Sequence, residues 1–210
     1  KQVMFLNELE AVLEITNAPE FKQVISPPCP LSTCTPHAAL AAGIRGVFAW
    51  VGPELFIPPL LTPKDFEDFV MALDQPLIDD IHAAGGLVWV HSHGDMKHMI
   101  ARFAAMNIDV LNPLEPPPMG DLTLAEAFAI VGESMALEGG IESHDLMVGS
   151  EKRVRQLVRE AMESGRGRRF ILCPSSGYME VPNPPATYIR NQLAYIDEAA
   201  RCAQDMGAGR

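Results

Sequence analysis

One rhythm constrains this chain more than anything else in it. From residue 46 onward a short apolar run, a loop and an amphipathic helical stretch follow one another repeatedly. The runs are GVFAWV (46–51), LVWVH (87–91), IDVL (108–111), SMAL (134–137) and RFILC (169–173). Each is apolar almost throughout, as a strand covered on both faces of a parallel sheet must be. Strands alternating with helices specify α/β, and right-handed crossovers place the helices outside a parallel sheet.

The intervening segments carry helix punctuation. Thr62-Pro63 reads as an N-cap and a first-turn proline, with Phe66, Phe69, Val70 and Leu73 as the apolar stripe. Pro76 is expected to kink that helix, and Gly85-Gly86 to end it. A second helix is expected over 95–106, with Met99, Ile100 and Phe103 on one face, Met96, Met99 and Met106 as core filler, and Asn107 just beyond its end. Thr123-Leu-Ala-Glu126 fits a capping box. Ser150 caps a fourth helix, with Val154, Leu157, Val158 and Ala161 inward, and a last one is expected over 185–206.

Residues 1–45 read as a lead-in: a helix over 7–15, a Pro-rich loop over 26–36, a short helix over 37–42 and at most one more strand. A closed eight-stranded barrel takes ~250 residues, and this chain has 210. The expectation is one α/β domain over 1–210, either a (β/α)8 TIM-type barrel missing part of its first half, with five or six βα units present, or a smaller open sheet. The first residue is Lys1, with no signal-peptide pattern after it, which reads as a fragment or a processed chain.

A net charge of −11 argues against nucleic acid, since phosphate binding needs a basic face. Arg166, Arg168 and Arg169 form the one basic cluster and read as a solvated loop. No apolar stretch approaches the ~20 residues of a membrane span. Cys29, Cys34, Cys173 and Cys202 make no disulfide framework, so a reducing cytoplasm is the expected location.

In parallel α/β folds the chemistry lies at the carboxyl ends of the strands. There stand Glu54, then His91-Ser92-His93, then Asn112 and Glu115 in "NPLEPPPMGD", then Glu138 and Glu142, then Cys173, Ser175, Ser176 and Tyr178. Residues i and i+2 of a strand face the same side, so His91 and His93 could both reach one metal ion. A third ligand must come from another strand end; Glu115 is the best carboxylate candidate and Cys173 a softer alternative. Three protein ligands with an open position would be a catalytic zinc rather than a structural one. The bland alternative is a pair of hydrogen-bonded rim histidines without metal. His82 and His98 read as surface or helix-packing residues, His37 as the start of a helix, and His144 is left open.

The stretches "HSHGDMKHMIARFAAMNIDVLNPLEPPPMGDLTLAEA", "LEGGIES" and "RFILCPSSGYMEVPNPPATYIRNQLAYID" resemble the uroporphyrinogen decarboxylase superfamily, which also holds zinc-dependent corrinoid and coenzyme M methyltransferases. "AGIRGVFAWVGPELFIPPLLTPKDFEDFV" is similar to the segment preceding the histidine strand, and the resemblance covers roughly 40–200. It implies a (β/α)8 barrel of which the later strands are matched, with the active site at the C-terminal mouth. The decarboxylases' N-terminal arginines and aspartate have no counterpart here, and Ser175-Ser176-Gly177 stands where decarboxylases carry Gly-His-Gly. The methyltransferase branch shows His-x-Cys and a later cysteine; here His91 matches, His93 replaces the first cysteine and Ser176 stands at the second.

The resemblance therefore implies an enzyme of the methyltransferase kind. Zinc would sit on His91, His93 and Glu115, with Glu142 or Tyr178 as proton donor or acceptor. Asn112, Ser175 and Ser176 are expected at the substrate, and a corrinoid protein is the expected partner. The nitrogen and oxygen ligands are harder than thiolates and suit an oxygen- or nitrogen-linked methyl donor better than a thiol acceptor. The alternatives are a metal-free carboxy-lyase acting on an acidic tetrapyrrole, a metal-dependent hydrolase, or a non-catalytic half-barrel that pairs with a partner or another copy.

Overall fold

The computed structural model describes residues 3–5, 31–177 and 183–207. The helix expected over 7–15, Cys29 and Tyr178 lie outside the described residues. Six strands form one parallel sheet in sequence order: β1 (Val3–Phe5), β2 (Val47–Val51), β3 (Leu87–His91), β4 (Val110–Leu114), β5 (Ala136–Ile141) and β6 (Phe170–Pro174). The helices are α1 (Leu31–Ala41), α2 (Ala72–Ala83), α3 (Ile100–Ala105), α4 (Leu124–Val131), α5 (Ser143–Val148), α6 (Glu151–Ser164) and α7 (Ala186–Gly207). Sequential parallel strands with helical crossovers define an incomplete (β/α)8-type barrel. Among the described residues no helix is long and apolar enough to cross a membrane.

Side chains alternate across each strand, which divides the sheet into two faces. Phe48, Val88, Val90, Leu111 and Leu137 are buried in the layer between sheet and helices, together with Ile57, Phe66, Ile100, Phe103, Leu124 and Val158. Phe103 is the hinge of this packing: its ring meets Phe66 edge-on at 5.1 Å and Trp50 at 6.5 Å. Such a ring is fully buried here, and burying one contributes about 1.5–3 kcal/mol. Met96, Met99 and Met106 are buried with it, as core filler should be.

Several expectations shift in detail. Strands β4 and β5 each begin two residues later than the apolar runs suggest, and run on through Pro113 and through Gly139-Gly140. Gly139 lies where the β4–β5 register slips between Leu111 and Leu114; its φ is +150°, and a Cβ there would stand 2.4 Å from the Leu114 carbonyl oxygen. Only glycine permits that approach. The loop expected over 26–36 is helical from Leu31, with Pro36 inside α1, so His37 lies within the helix rather than at its start. The helix expected over 95–106 is helical only over α3, because Met96 and Lys97 give their backbone N–H groups to the Asp121 carboxylate. Asn107 takes a left-handed φ of 65° just beyond it.

Thr62 caps its helix with Asp65 as reciprocal partner, and Thr123 does the same with Glu126. Pro76 does not interrupt α2; the irregularity lies upstream, where Phe66–Met71 is π-helical. The wider turn shifts the buried stripe to Phe66, Val70, Ile78 and Ile81, leaving Phe69 and Leu73 exposed, contrary to the periodic reading. Helix α5, unmarked in the sequence rhythm, is docked by Asn191 of α7, which donates to the Leu146 and Gly149 carbonyls at 3.0 and 2.8 Å.

Helix α7 is fixed to α6 by charge. Glu198 is buried and is met by Arg155, Arg159 and Arg201. The Arg201 hydrogen bond, with Arg159 behind it, holds the Glu198 carboxyl at about 2 against an ordinary 4.5. A folded-state value below the unfolded one contributes stability above the unfolded value, lost as pH falls through the folded one. The urea midpoint of the protein is expected to decline as pH drops from 4.5 toward 2, and that component of the decline to vanish in Glu198→Gln. Gly139→Ala is expected to cost about 2 kcal/mol or more by urea unfolding, since it combines left-handed strain with a backbone clash.

Candidate active site at the strand ends

β3 pairs with β4 through His91 opposite Asn112, and Ser92 extends the pairing by donating its N–H to the Asn112 carbonyl at 2.8 Å. This continuation keeps the chain extended past the strand end, so Trp89, His91 and His93 all lie on the inner face. The turn that follows needs Gly94, at φ +117°, where a Cβ would press Ile57 and the Pro58 carbonyl at 3.1 Å.

Asn112 orients the first histidine. Its Oδ1 lies 2.7 Å from His91 Nδ1, while its Nδ2 donates to Cys173 Sγ at 3.9 Å. With the amide nitrogen turned to sulfur, the oxygen faces the imidazole, so the proton sits on His91 Nδ1 and the lone pair on Nε2. Glu115 orients the second: His93 Nδ1 stands 3.1 Å from Glu115 Oε1. The two rings meet edge-on at 4.8 Å. The hydrogen bond that His93 donates to Glu115 raises the His93 pKa, with the charges of Glu115, Glu54 and Glu142 adding to it.

Around His93 the acidic groups crowd. Glu142 is buried, which is the largest cause of its raised pKa; the Glu115 charge adds, and a hydrogen bond from Ser175 Oγ at 3.3 Å opposes. Glu142 Oε1 and Glu54 Oε2 are both buried without a hydrogen-bond partner. Ser143 is the local organiser: its hydroxyl donates to the Ser176 carbonyl and accepts from the Ser176 N–H, both at 2.6 Å, and lies 3.1 Å from Ser175 Oγ.

Below the histidines, a cavity of about 520 Å³ opens on the inner face, lined by Trp89, His91, Asn112, Glu138, Cys173 and the two serines among others. Trp89 stacks on His91 at 5.8 Å and donates its indole N–H to Glu138 Oε2 at 2.6 Å. Cys173 is a thiol held protonated: desolvation, then the charge and hydrogen bonding of Glu138, push it up to about 12. Tyr195, donating to the Leu172 carbonyl at 3.1 Å, is likewise pushed up to about 12, by burial first.

The structure thus brings His91, His93, Asn112, Glu115, Glu142, Ser175 and Ser176 to one strand-end region. His144 is exposed on α5, and His82 bonds Asp109 at 2.8 Å on the helix side of the sheet. The sequence reading did not assign roles to Trp89, Glu138 or Ser143. Two imidazoles carry oriented Nδ1 atoms, and two carboxylate oxygens lack partners. Among the described residues, no three His, Cys, Asp or Glu side chains gather closely enough to hold a metal ion.

A section of parallel (β/α)8 barrel with polar side chains converging at its C-terminal mouth is the layout of a barrel enzyme. The uroporphyrinogen decarboxylase (URO-D) family model matches residues 53–200, and the chain belongs to this family. Among solved structures, a methyltransferase from Methanosarcina mazei superposes with a TM-score of 0.61 at 19% identity, over 81% of this chain and 46% of that one. The likeness is one of fold, and the chain spans a little under half the length of that relative. No curated protein matches the chain.

Glu138→Gln removes the negative charge beside Cys173 while keeping the Trp89 acceptor. Alkylation of Cys173 by iodoacetamide at pH 8, followed by peptide mass spectrometry, is expected to be slow in the parent protein. It should quicken roughly 3- to 10-fold in the variant, because a lower pKa yields more thiolate at fixed pH.

Proposed function

We propose that this protein is a methyltransferase-type member of its family, acting on a small methylated substrate with a corrinoid protein as methyl acceptor. The observation that carries the reading is the pair His91 and His93, each with Nδ1 engaged on one side by Asn112 or Glu115. Metal-binding histidines are commonly held in this manner, through the ring nitrogen not used for the metal. His91 and His93 would hold zinc through Nε2, with Glu115 as third ligand once its carboxylate turns from His93 Nδ1 toward the ion, and the ion would supply Lewis acidity toward the heteroatom that bears the methyl group.

The rest of the chemistry belongs to the chain. Glu142, its pKa raised first by burial, holds a proton more readily than an exposed carboxylate, and Ser175 donates to one of its oxygens. Tyr178 is the second proton donor in this proposal. Asn112 sets the His91 tautomer, and with Ser175 and Ser176 it offers polar contacts at the cavity wall. The carboxy-lyase reading is the weaker one. A tetrapyrrole bearing several carboxylates needs converging cations, and among the described residues no Lys or Arg lines the cavity.

The test is metal content of the purified protein by inductively coupled plasma mass spectrometry. Roughly one zinc per chain is expected, and its loss in a His91→Ala, His93→Ala double variant that stays folded by circular dichroism. Metal absent from the parent protein after growth in zinc-supplemented medium would sink the proposal.

A further inference from the structure

We propose that the cavity beneath His91 binds a small organic cation, such as a methylated ammonium, with Glu138 as counter-ion and Trp89 as aromatic wall. This deepens the reading above, by naming a substrate class for the same site.

The argument begins with where charge lies. Glu138 sits at the middle of β5 on the inner face, away from the rim where carboxylates meet water freely. Its hydrogen-bond partner is a neutral indole N–H, and the Cys173 thiol that lines the same cavity donates to the Pro174 carbonyl at 3.2 Å. Neither cancels a negative charge, and Glu138 takes part in no ion pair among the described residues. Five arginines are engaged elsewhere: Arg155, Arg159 and Arg201 on Glu198, Arg102 on Glu67, and Arg166 on Glu163. A carboxylate held in a cavity with no cation beside it is a ready counter-ion for a positive guest.

The shape agrees. About 520 Å³ is the size of a small-molecule site. Val51, Pro174 and the Trp89 ring supply apolar wall around the one carboxylate. A methylated ammonium, whose charge is spread under methyl groups and weakly hydrated, suits such a setting better than a strongly hydrated primary amine, and aromatic faces attract it. An anionic guest would meet the Glu138 carboxylate in the cavity wall. His91 lines the same cavity, so a cation held there lies beside the first of the two histidines.

The probe is choline, set against its uncharged isostere 3,3-dimethylbutan-1-ol, by isothermal titration calorimetry on chelator-treated protein. Choline is expected to bind at least about tenfold tighter than the alcohol. In Glu138→Gln that preference should fall to about twofold or less, and in Trp89→Phe both guests should weaken, with the fold of each variant checked by circular dichroism. Equal affinity for the two guests, no choline binding, or an undiminished preference in folded Glu138→Gln would each overturn the cation site. Because the titration is run without metal, these outcomes leave the zinc measurement untouched, and the two readings fail separately.

Discussion

The two-residue period of a β-strand is the constraint on which the site depends. In β3 it sends Val88 and Val90 into the helix layer and Trp89 and His91 into the interior, and the Ser92–Asn112 bond carries the same alternation on to His93. A slip of one residue would bury the imidazoles against Phe103 and Ile100 and turn two valines into the cavity. Two groups anchor the register at opposite ends. Asp109 accepts from the Val88 N–H at 2.8 Å at the base of β3, and Asp121 holds the loop beyond the histidines through Met96 and Lys97.

Charge is distributed as deliberately as hydrophobicity. Arg155, Arg159 and Arg201 surround Glu198 on the outer layer, where ion pairs weld α6 to α7. The inner face carries Glu115, Glu138 and Glu142 with two histidines. The chain's net charge of −11 is therefore expressed unevenly, with cations spent on the shell and acids left toward the centre. His93 feels this most directly, drawing a raised pKa from three carboxylates.

Much of the fold was legible because buried parallel strands are written as apolar runs, and 87–91 was found to the residue. β4 and β5 were shortened because Pro113 and Gly139-Gly140 carry the signature of turns, yet here they sit within strands beside a register shift. Pro36 hid most of α1 in the same way. His91, His93, Asn112 and Glu115 were legible as a site because strand ends are where parallel folds present polar groups. The partnership of Trp89 with Glu138 was not: it spans β4 between them and 49 residues of sequence, and only the three-strand register brings the pair together. Phe69 and Leu73 were misread because the periodic template assumes an unbroken α-helix, and Phe66–Met71 is wider than that.

That wider segment has a consequence for how this part of the chain tolerates change in length. Each residue of an α-helix advances the face by 100°, and the π-helical turn takes up one surplus residue before α2 begins. Deleting a single residue within 66–71 could relax the turn to regular α-helix and leave Phe66, Val70, Ile78 and Ile81 in their layer. Deleting one in the regular helix downstream has no such reserve, and would swing Ile81 away from the sheet. The segment is a built-in allowance of one residue, located ahead of the strand that carries the histidines.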